Sequence, residues 1–136
     1  MKAARYVDTS AALRAVLEEG TTPAIESEIE NAEILVTSRL SLVESERALL
    51  RMRRTSSVTE ELLADAARAM DELWSHCTIW ELTEEVCRAA MQVAPSQPLR
   101  TLDALHLATY VLARRRIAGL ELLTADYRLE RAARTV

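Results

Sequence analysis

Residues 99–109 read Leu99-Arg100-Thr101-Leu102-Asp103-Ala104-Leu105-His106-Leu107-Ala108-Thr109. They predict the start of a helix that continues to about residue 116 and is the most apolar helix of the chain. One carboxylate, Asp103, stands just inside its start, where a purely structural sequence has little reason to place an acid. Other acids at the ends of predicted strands or near the starts of predicted helices are therefore candidates to act together with Asp103.

Short apolar runs alternate with helical patterns along the rest of the chain. Strands are predicted at residues 4–8, 34–37, 78–82 and 120–124, and helices at 9–19, 22–31, 57–75, 83–94 and 101–116, with one more from Ser38 or Ser41 to residue 54 and a short terminal one. Gly20 is expected to stop the first helix, and Thr22 to N-cap the second with Pro23 in its first turn. Strands separated by helices in this rhythm imply a parallel sheet covered on both faces.

Three further acids occupy positions comparable to that of Asp103. Asp8 lies at the C-terminal end of a predicted strand, Asp126 just beyond another, and Glu44 in the first turn of a predicted helix. Ligands of parallel sheets bind outside the carboxyl ends of the strands, and this topology brings the four acids to that one rim. Carboxylates crowded together repel one another unless a cation lies among them, so the pattern suggests a metal site.

Hard oxygen ligands of this kind, with no His or Cys nearby, suit Mg²⁺ or Mn²⁺ rather than Zn²⁺. Such an ion can activate water and neutralise charge on a phosphodiester. Spacing alone leaves two alternatives open. Each acid also suits a helix cap or a helix start, and Glu46 competes with Glu44 because residues two apart face different sides of a helix.

Length and composition narrow the class of protein further. The 136 residues predict one domain, residues 1–136, with a core that needs no disulfides. Cys77 and Cys87 are too few for a stapled secreted scaffold, and the N-terminus lacks a basic-then-apolar leader, so we expect a cytoplasmic protein. No apolar run approaches the roughly 20 residues that span a bilayer.

The net charge of −4 argues against nucleic-acid binding through a generally basic surface. The positive charges are nonetheless concentrated in two arginine runs, whose planar guanidinium groups suit phosphate. The alternative is that both runs are solvated helix faces. The runs are Arg47, Arg51, Arg53 and Arg54, and then Arg114, Arg115 and Arg116.

Taken together, these motifs resemble the PIN-domain ribonucleases, and more narrowly the toxin of VapBC type II toxin–antitoxin systems. The residues that carry the resemblance are Tyr6-Val7-Asp8-Thr9-Ser10-Ala11, then residues 37–48, residues 99–108, and Leu122-Leu123-Thr124-Ala125-Asp126-Tyr127-Arg128-Leu129. They occur in the family's order over nearly the whole chain. The family frame Glu-x-x-Arg-Ala selects Glu44 over Glu46.

The resemblance implies a PIN-like three-layer α/β fold with a central, mostly parallel sheet of four or five strands covered by helices. It implies an endoribonuclease that uses Mg²⁺ or Mn²⁺ and cleaves structured or single-stranded RNA. The implied acidic ligands are Asp8, Glu44, Asp103 and Asp126. Thr9, Ser10 and Thr124 are implied as hydroxyl neighbours of the site, with helix capping as their alternative role.

The family also implies a small antitoxin that lies across the toxin, a toxin homodimer, and a toxin–antitoxin hetero-oligomer. Arg47 and Arg51 become candidate RNA contacts. Family members usually continue into a last strand beyond the position of Val136, so the sheet is expected to have one strand fewer or to end in a fragment.

Several conspicuous residues have structural interpretations. His106 is expected to be packed in the core or to lie behind the site, the two cysteines to be buried hydrophobes, and Trp74 and Trp80 to pack a core or a dimer face. Two rival functions remain open at this point. One is a PIN nuclease for RNA maturation without an antitoxin, and the other is a PIN-fold binding module that cleaves nothing.

Overall fold

The computed structural model describes residues 2–18, 22–55 and 57–136. The predicted stop at Gly20 lies outside the described residues. Within them the chain alternates between strands and helices almost throughout. These elements are β1 (Ala4–Val7), α1 (Thr9–Leu17), α2 (Pro23–Asn31), β2 (Ile34–Ser38), α3 (Arg39–Thr55), α4 (Glu60–Ser75), β3 (Cys77–Trp80), α5 (Glu84–Ala90), α6 (Thr101–Arg116), β4 (Leu120–Leu123) and α7 (Tyr127–Ala133).

The four strands form one parallel sheet in the order β3-β2-β1-β4. Tyr6 of β1 pairs with Val36 of β2 on one side and with Leu122 of β4 on the other. Because all strands run the same way, their carboxyl ends lie along one edge. The predicted α/β class and the predicted four strands are therefore confirmed.

Helices cover both faces of the sheet and make three layers. Tyr6 packs on one face against Leu107 and Tyr110 of α6, while its neighbour Val7 packs on the other face against α1 and α4, with Trp74 in the same cluster. Successive strand residues point to opposite faces, so a continuous apolar strand buries both of its sides. Both faces of β1 are thereby sealed from water.

Three local features differ from the sequence prediction. Glu44 lies in the second turn of α3 and not the first, because the helix begins directly after β2 at Arg39. Thr22 occupies the N-cap of α2, but its side chain makes no capping hydrogen bond there. The fifth helix ends at Ala90, well before Pro95, because the following residues form turns in which Ala94 has a φ of 45°.

Other predicted details match. Ser38, one of the two candidate caps of α3, accepts a hydrogen bond from the backbone N–H of Leu40 at 3.0 Å. Pro23 lies in the first turn of α2. Among the described residues, no helix is both long enough and apolar enough to cross a membrane.

Candidate active site

Asp8 lies where β1 ends and α1 begins, at the carboxyl edge of the sheet. It is 3% exposed. Its Oδ1 accepts hydrogen bonds from the Ala11 N–H at 2.9 Å and from the Ser10 hydroxyl at 2.8 Å, and its Oδ2 accepts one from the Thr124 hydroxyl at 2.7 Å. Ser10 also accepts the Ala125 N–H at 2.9 Å. These bonds tie the carboxyl ends of β1 and β4 together around one carboxylate.

The charge of Asp8 is expensive to bury. Burial raises the pKa of its carboxyl group, while hydrogen bonds from Ala11 and Thr124 oppose that rise only in part. Among the ion pairs of the described residues, no arginine or lysine pairs with Asp8. A buried carboxylate without a cationic partner has the chemistry of a metal ligand.

Glu44 reaches the same region from α3. Its Oε1 accepts a hydrogen bond from the Thr9 hydroxyl at 2.6 Å and lies 2.6 Å from Nε2 of His106. Partial burial raises the pKa of Glu44, but the hydrogen bonds from His106 and Thr9 outweigh it, so the net shift is downward. Its rival Glu46 is exposed to solvent. Of the two acids, it is Glu44 that contacts the start of α1.

Asp126 and Asp103 lie near the starts of α7 and α6. Asp126 accepts the backbone N–H groups of Arg128 at 2.9 Å and Leu129 at 3.4 Å, which makes it the N-cap of α7. Asp103 accepts the backbone N–H of Arg100 at 3.4 Å. The capping role that the sequence offered as an alternative is thus present at both positions, and Asp8 likewise caps α1.

Three of the four acids are connected through neighbouring hydroxyl residues, whereas among the described residues no hydrogen bond joins Asp103 to the other three. The Thr124 hydroxyl bonds Asp8 and also accepts the Asp126 N–H at 2.9 Å, and Thr9, adjacent to Asp8, bonds Glu44. Across residues 2–18, 22–55 and 57–136, however, no three Asp, Glu, His or Cys side chains are grouped closely enough to hold a metal ion. The donor chemistry fits a hard divalent cation, since the four side chains offer carboxylate oxygens.

His106 is buried directly behind Glu44, in agreement with the expected position in the core or behind the site. The ring is 3% exposed, its Nε2 contacts Glu44, and its Nδ1 lies 2.9 Å from the Tyr6 hydroxyl. Sequence reasoning placed His106 in the core or behind the site and assigned no role to the Tyr6 hydroxyl. The available signal was the spacing of three residues between Asp103 and His106, which puts both on one side of α6.

The two arginine runs have different surroundings. Arg47 and Arg51 are exposed on α3, three and seven residues after Glu44, so all three share one side of the helix. Arg51 is close enough to help lower the pKa of Glu44. In the second run, the guanidinium groups of Arg114 and Arg116 lie over the rings of Tyr110 and Trp80.

Solved structures with the same fold include proteins from distant organisms. The crystal structure of PAE2754 from Pyrobaculum aerophilum matches with a TM-score of 0.67 and 22% identity, covering 95% of this chain and 78% of that one. The structure of VapBC2 from Rickettsia felis, bound to a DNA fragment from their promoter, matches with a TM-score of 0.61 and 12% identity, covering 90% and 98%. At these identities the likeness is one of fold.

Sequence comparison is more specific. Ribonuclease VapC45 and Ribonuclease VapC49, both from Mycobacterium tuberculosis, are each 32% identical to this chain over 104 residues, which are 76% of this chain and 72% of the relative. The family model described as the PIN domain matches residues 5–135. The chain therefore belongs to the PIN domain family, among proteins of the VapC type.

Proposed function

We propose that this protein is a Mg²⁺- or Mn²⁺-dependent endoribonuclease and the toxin of a type II toxin–antitoxin pair. Its similarity to VapC ribonucleases supports a nuclease. The observation that carries the metal dependence is Asp8, a buried carboxylate that is bonded by two hydroxyl groups and has no cationic side chain paired with it among the described ion pairs. A divalent cation supplies the missing positive charge.

Asp8, Glu44, Asp103 and Asp126 are the residues that would hold the ion, and an ion would have to draw them closer together than they lie among the described residues. When bound, it lowers the pKa of a coordinated water and neutralises charge on the phosphodiester. Ser10 and Thr124 keep the Asp8 carboxylate oriented through their hydroxyl groups, and Thr9 does the same for Glu44. These three hydroxyl groups would thus hold Asp8 and Glu44 in place before substrate arrives, which is the preorganisation that hydrolysis requires.

The RNA backbone is proposed to pass over α3. Arg47 and Arg51 extend from the side of α3 that carries Glu44, and guanidinium groups bind phosphate with paired hydrogen bonds. Because the net charge is −4, RNA would have to be attracted by a local group of arginines such as this pair and not by the protein as a whole. Single-stranded or looped RNA is the expected substrate, since its phosphodiesters can reach acids at the carboxyl edge of the sheet.

An antitoxin and a second copy of the chain are the proposed partners. The fold is shared with a VapBC2 structure from Rickettsia felis, whose name is that of a toxin–antitoxin pair. Expression of this chain alone is expected to arrest growth, and co-expression of the small protein encoded beside it to relieve the arrest. Light scattering of the purified toxin should report a dimer.

The first test is cleavage of total cellular RNA by the purified chain, free of antitoxin, in Mg²⁺, Mn²⁺ or EDTA. A few discrete fragments are expected with either metal and none with EDTA. Asp8→Asn should abolish these fragments, because an amide keeps the shape of the side chain and removes the charge that binds the cation.

The matched control is Asp71→Asn, which removes an exposed carboxylate on α4 and should leave the fragments unchanged. Full cleavage by Asp8→Asn would remove Asp8 from the site. RNA binding without cleavage by folded protein in every metal would favour a PIN-fold binding module.

A further inference from the structure

We infer that His106 is a positioning residue for Glu44: its Nε2–H holds Oε1 of that carboxylate and thereby leaves Oε2 for the metal ion. The inference rests on the proposed function, since it assigns a role within the same metal site. It extends that proposal to Tyr6 and His106, which would hold the proposed metal ligand Glu44 in position from the side of the core.

The contacts run in a line from the core to the rim. The Tyr6 hydroxyl lies 2.9 Å from Nδ1 of His106, and Nε2 of the same ring lies 2.6 Å from Oε1 of Glu44. Tyr6 is fully buried and His106 almost so. The rings of Tyr6 and His106 also meet edge to face, with centroids 6.1 Å apart, so the imidazole has little freedom to turn.

The direction of these hydrogen bonds follows from the chemistry of the groups. A phenol, with an ordinary pKa of about 10, keeps its proton and can donate it to Nδ1. A neutral imidazole has one acceptor nitrogen and one N–H, so its proton then stands on Nε2. That N–H can only point at an acceptor, and Oε1 of Glu44 is the acceptor 2.6 Å away.

The two oxygens of Glu44 are treated unequally. Oε1 receives both His106 and the Thr9 hydroxyl, each at 2.6 Å, whereas no described residue donates a hydrogen bond to Oε2. A carboxylate held by one oxygen presents the other in a fixed direction. Donors behind a metal-binding carboxylate generally serve this purpose, and their loss typically weakens metal affinity by about 10- to 100-fold.

If the role of His106 is purely structural, its replacement has a different expected effect on metal affinity. If His106 only fills space in the core, its replacement changes stability without changing the affinity of the folded protein for metal. Two amide substitutions separate these roles, because they share the same polar group and differ by one methylene. The glutamine amide in His106→Gln reaches the place of Nε2, whereas the shorter asparagine in His106→Asn reaches only the place of Nδ1.

The test is calorimetric titration of the full chain with Mn²⁺ in the absence of RNA, with cleavage kinetics measured in parallel. His106→Asn should bind Mn²⁺ about 10- to 100-fold more weakly, and His106→Gln should recover most of the affinity. In cleavage assays at fixed Mn²⁺, kcat should fall for His106→Asn while KM for RNA stays constant, because the RNA contacts on α3 are untouched.

Tyr6→Phe provides an independent variant that keeps the ring and removes only the hydroxyl. It should weaken Mn²⁺ binding at the lower end of that range, about 10-fold, because Nδ1 loses its donor. Tyr110→Phe is the matched control. It also removes a buried hydroxyl, which bonds the Leu120 carbonyl at 3.2 Å, and should leave Mn²⁺ affinity unchanged.

Equal affinities for His106→Asn, His106→Gln and the unmodified chain would overturn the inference, and so would equal losses in both variants. Should the asparagine variant fail to fold, the comparison of Tyr6→Phe with Tyr110→Phe decides the same question. If the unmodified chain binds no Mn²⁺ and cleaves no RNA, the proposed function fails first and the inference falls with it. Metal binding and cleavage that persist in every variant reject the inference alone.

Discussion

At the scale of single residues, the capping role of Asp8 is compatible with its proposed role as a metal ligand, although the sequence presented the two as alternatives. It caps α1 through the Ala11 N–H, and the same carboxylate is bonded by the hydroxyl groups of Ser10 and Thr124. A cap needs one oxygen lone pair, whereas a carboxylate offers about four. Capping therefore leaves room for a metal, and finding a capping bond does not argue against a ligand role.

Cys77 gives a prediction at this scale that is independent of the site. Burial raises the pKa of its thiol to about 12, and the thiol lies 3.5 Å from the Leu73 carbonyl. Since the thiolate is the reactive form, only about one molecule in ten thousand is reactive at pH 8. Native protein treated with iodoacetamide at pH 8 should keep Cys77 unmodified in peptide mapping, and labelling should increase only as the pH approaches 12.

Protein unfolded in urea should be labelled at Cys77 within the same exposure, which provides the control. Rapid labelling of the native protein would mean that β3 opens to solvent far more often than its place in the sheet implies.

The positions of the candidate site residues were predictable in part. Positions after strands pointed to Asp8 and Asp126, because the geometry of a parallel sheet is implicit in its sequence rhythm. The pairing of Glu44 with His106 was not predictable, since it joins residues 62 positions apart through two helices whose relative placement no local pattern encodes. Spacing alone did not decide whether Glu44 or Glu46 is the candidate ligand, and only the family frame Glu-x-x-Arg-Ala favoured Glu44.

At the scale of elements, the helix caps offer a matched pair of substitutions. Thr59 caps α4 by accepting the Leu62 N–H at 3.2 Å, whereas Thr22 occupies the same position in α2 without a capping bond. Thr59→Ala should lower the free energy of unfolding by about 1 kcal/mol. Thr22→Ala should lower the free energy of unfolding by clearly less. Urea denaturation of both variants measures the difference.

Equal losses for the two alanine variants would show that the cap hydrogen bond is not what threonine contributes at these positions. RNA cleavage should be unchanged by Thr59→Ala, because α4 carries none of the proposed ligands.

Most elements were predictable because each carries its own local signal. The four strands are short apolar runs, and most of the helices are preceded by a Thr, Ser or Asp residue. Predictions failed where the outcome depended on neighbours. Leaving β2, the chain turns directly into α3 at Arg39, which moves Glu44 into the second turn, and the end of α5 is set by the turns around Ala94 and not by Pro95.

At the scale of the whole molecule, an acidic protein that acts on RNA, as proposed, would have to bind it through a local arrangement of charge. If Arg47 and Arg51 contact phosphates, replacing both with alanine should flatten the plot of log affinity against log salt by about 1.4, at roughly 0.7 per phosphate contact on a single strand. The measurement is fluorescence anisotropy with the cleavage-deficient Asp8→Asn background and a labelled single-stranded RNA.

The matched control is the pair Arg68→Ala and Arg88→Ala, which removes the same amount of charge from exposed positions on α4 and α5. If only net charge mattered, the two pairs would weaken binding alike. An unchanged slope in the Arg47 and Arg51 variant would return these residues to the role of a solvated helix face.

Metal binding should also affect the stability of the whole molecule without being required for its fold. The core clusters around Tyr6, Val7 and α6 are apolar and enclose both faces of the sheet, so the protein should remain folded in EDTA. An ion that binds only the folded state adds about 2.7 kcal/mol at 100 times its dissociation constant, which corresponds to a rise of roughly 10 °C in Tm for a domain of this size. Asp8→Asn should abolish most of that rise while keeping a similar Tm in EDTA. If the variant and the unmodified chain gain equally from Mn²⁺, the ion binds elsewhere on the molecule, and the edge of the sheet that joins Asp8 to Thr124 is not the metal site.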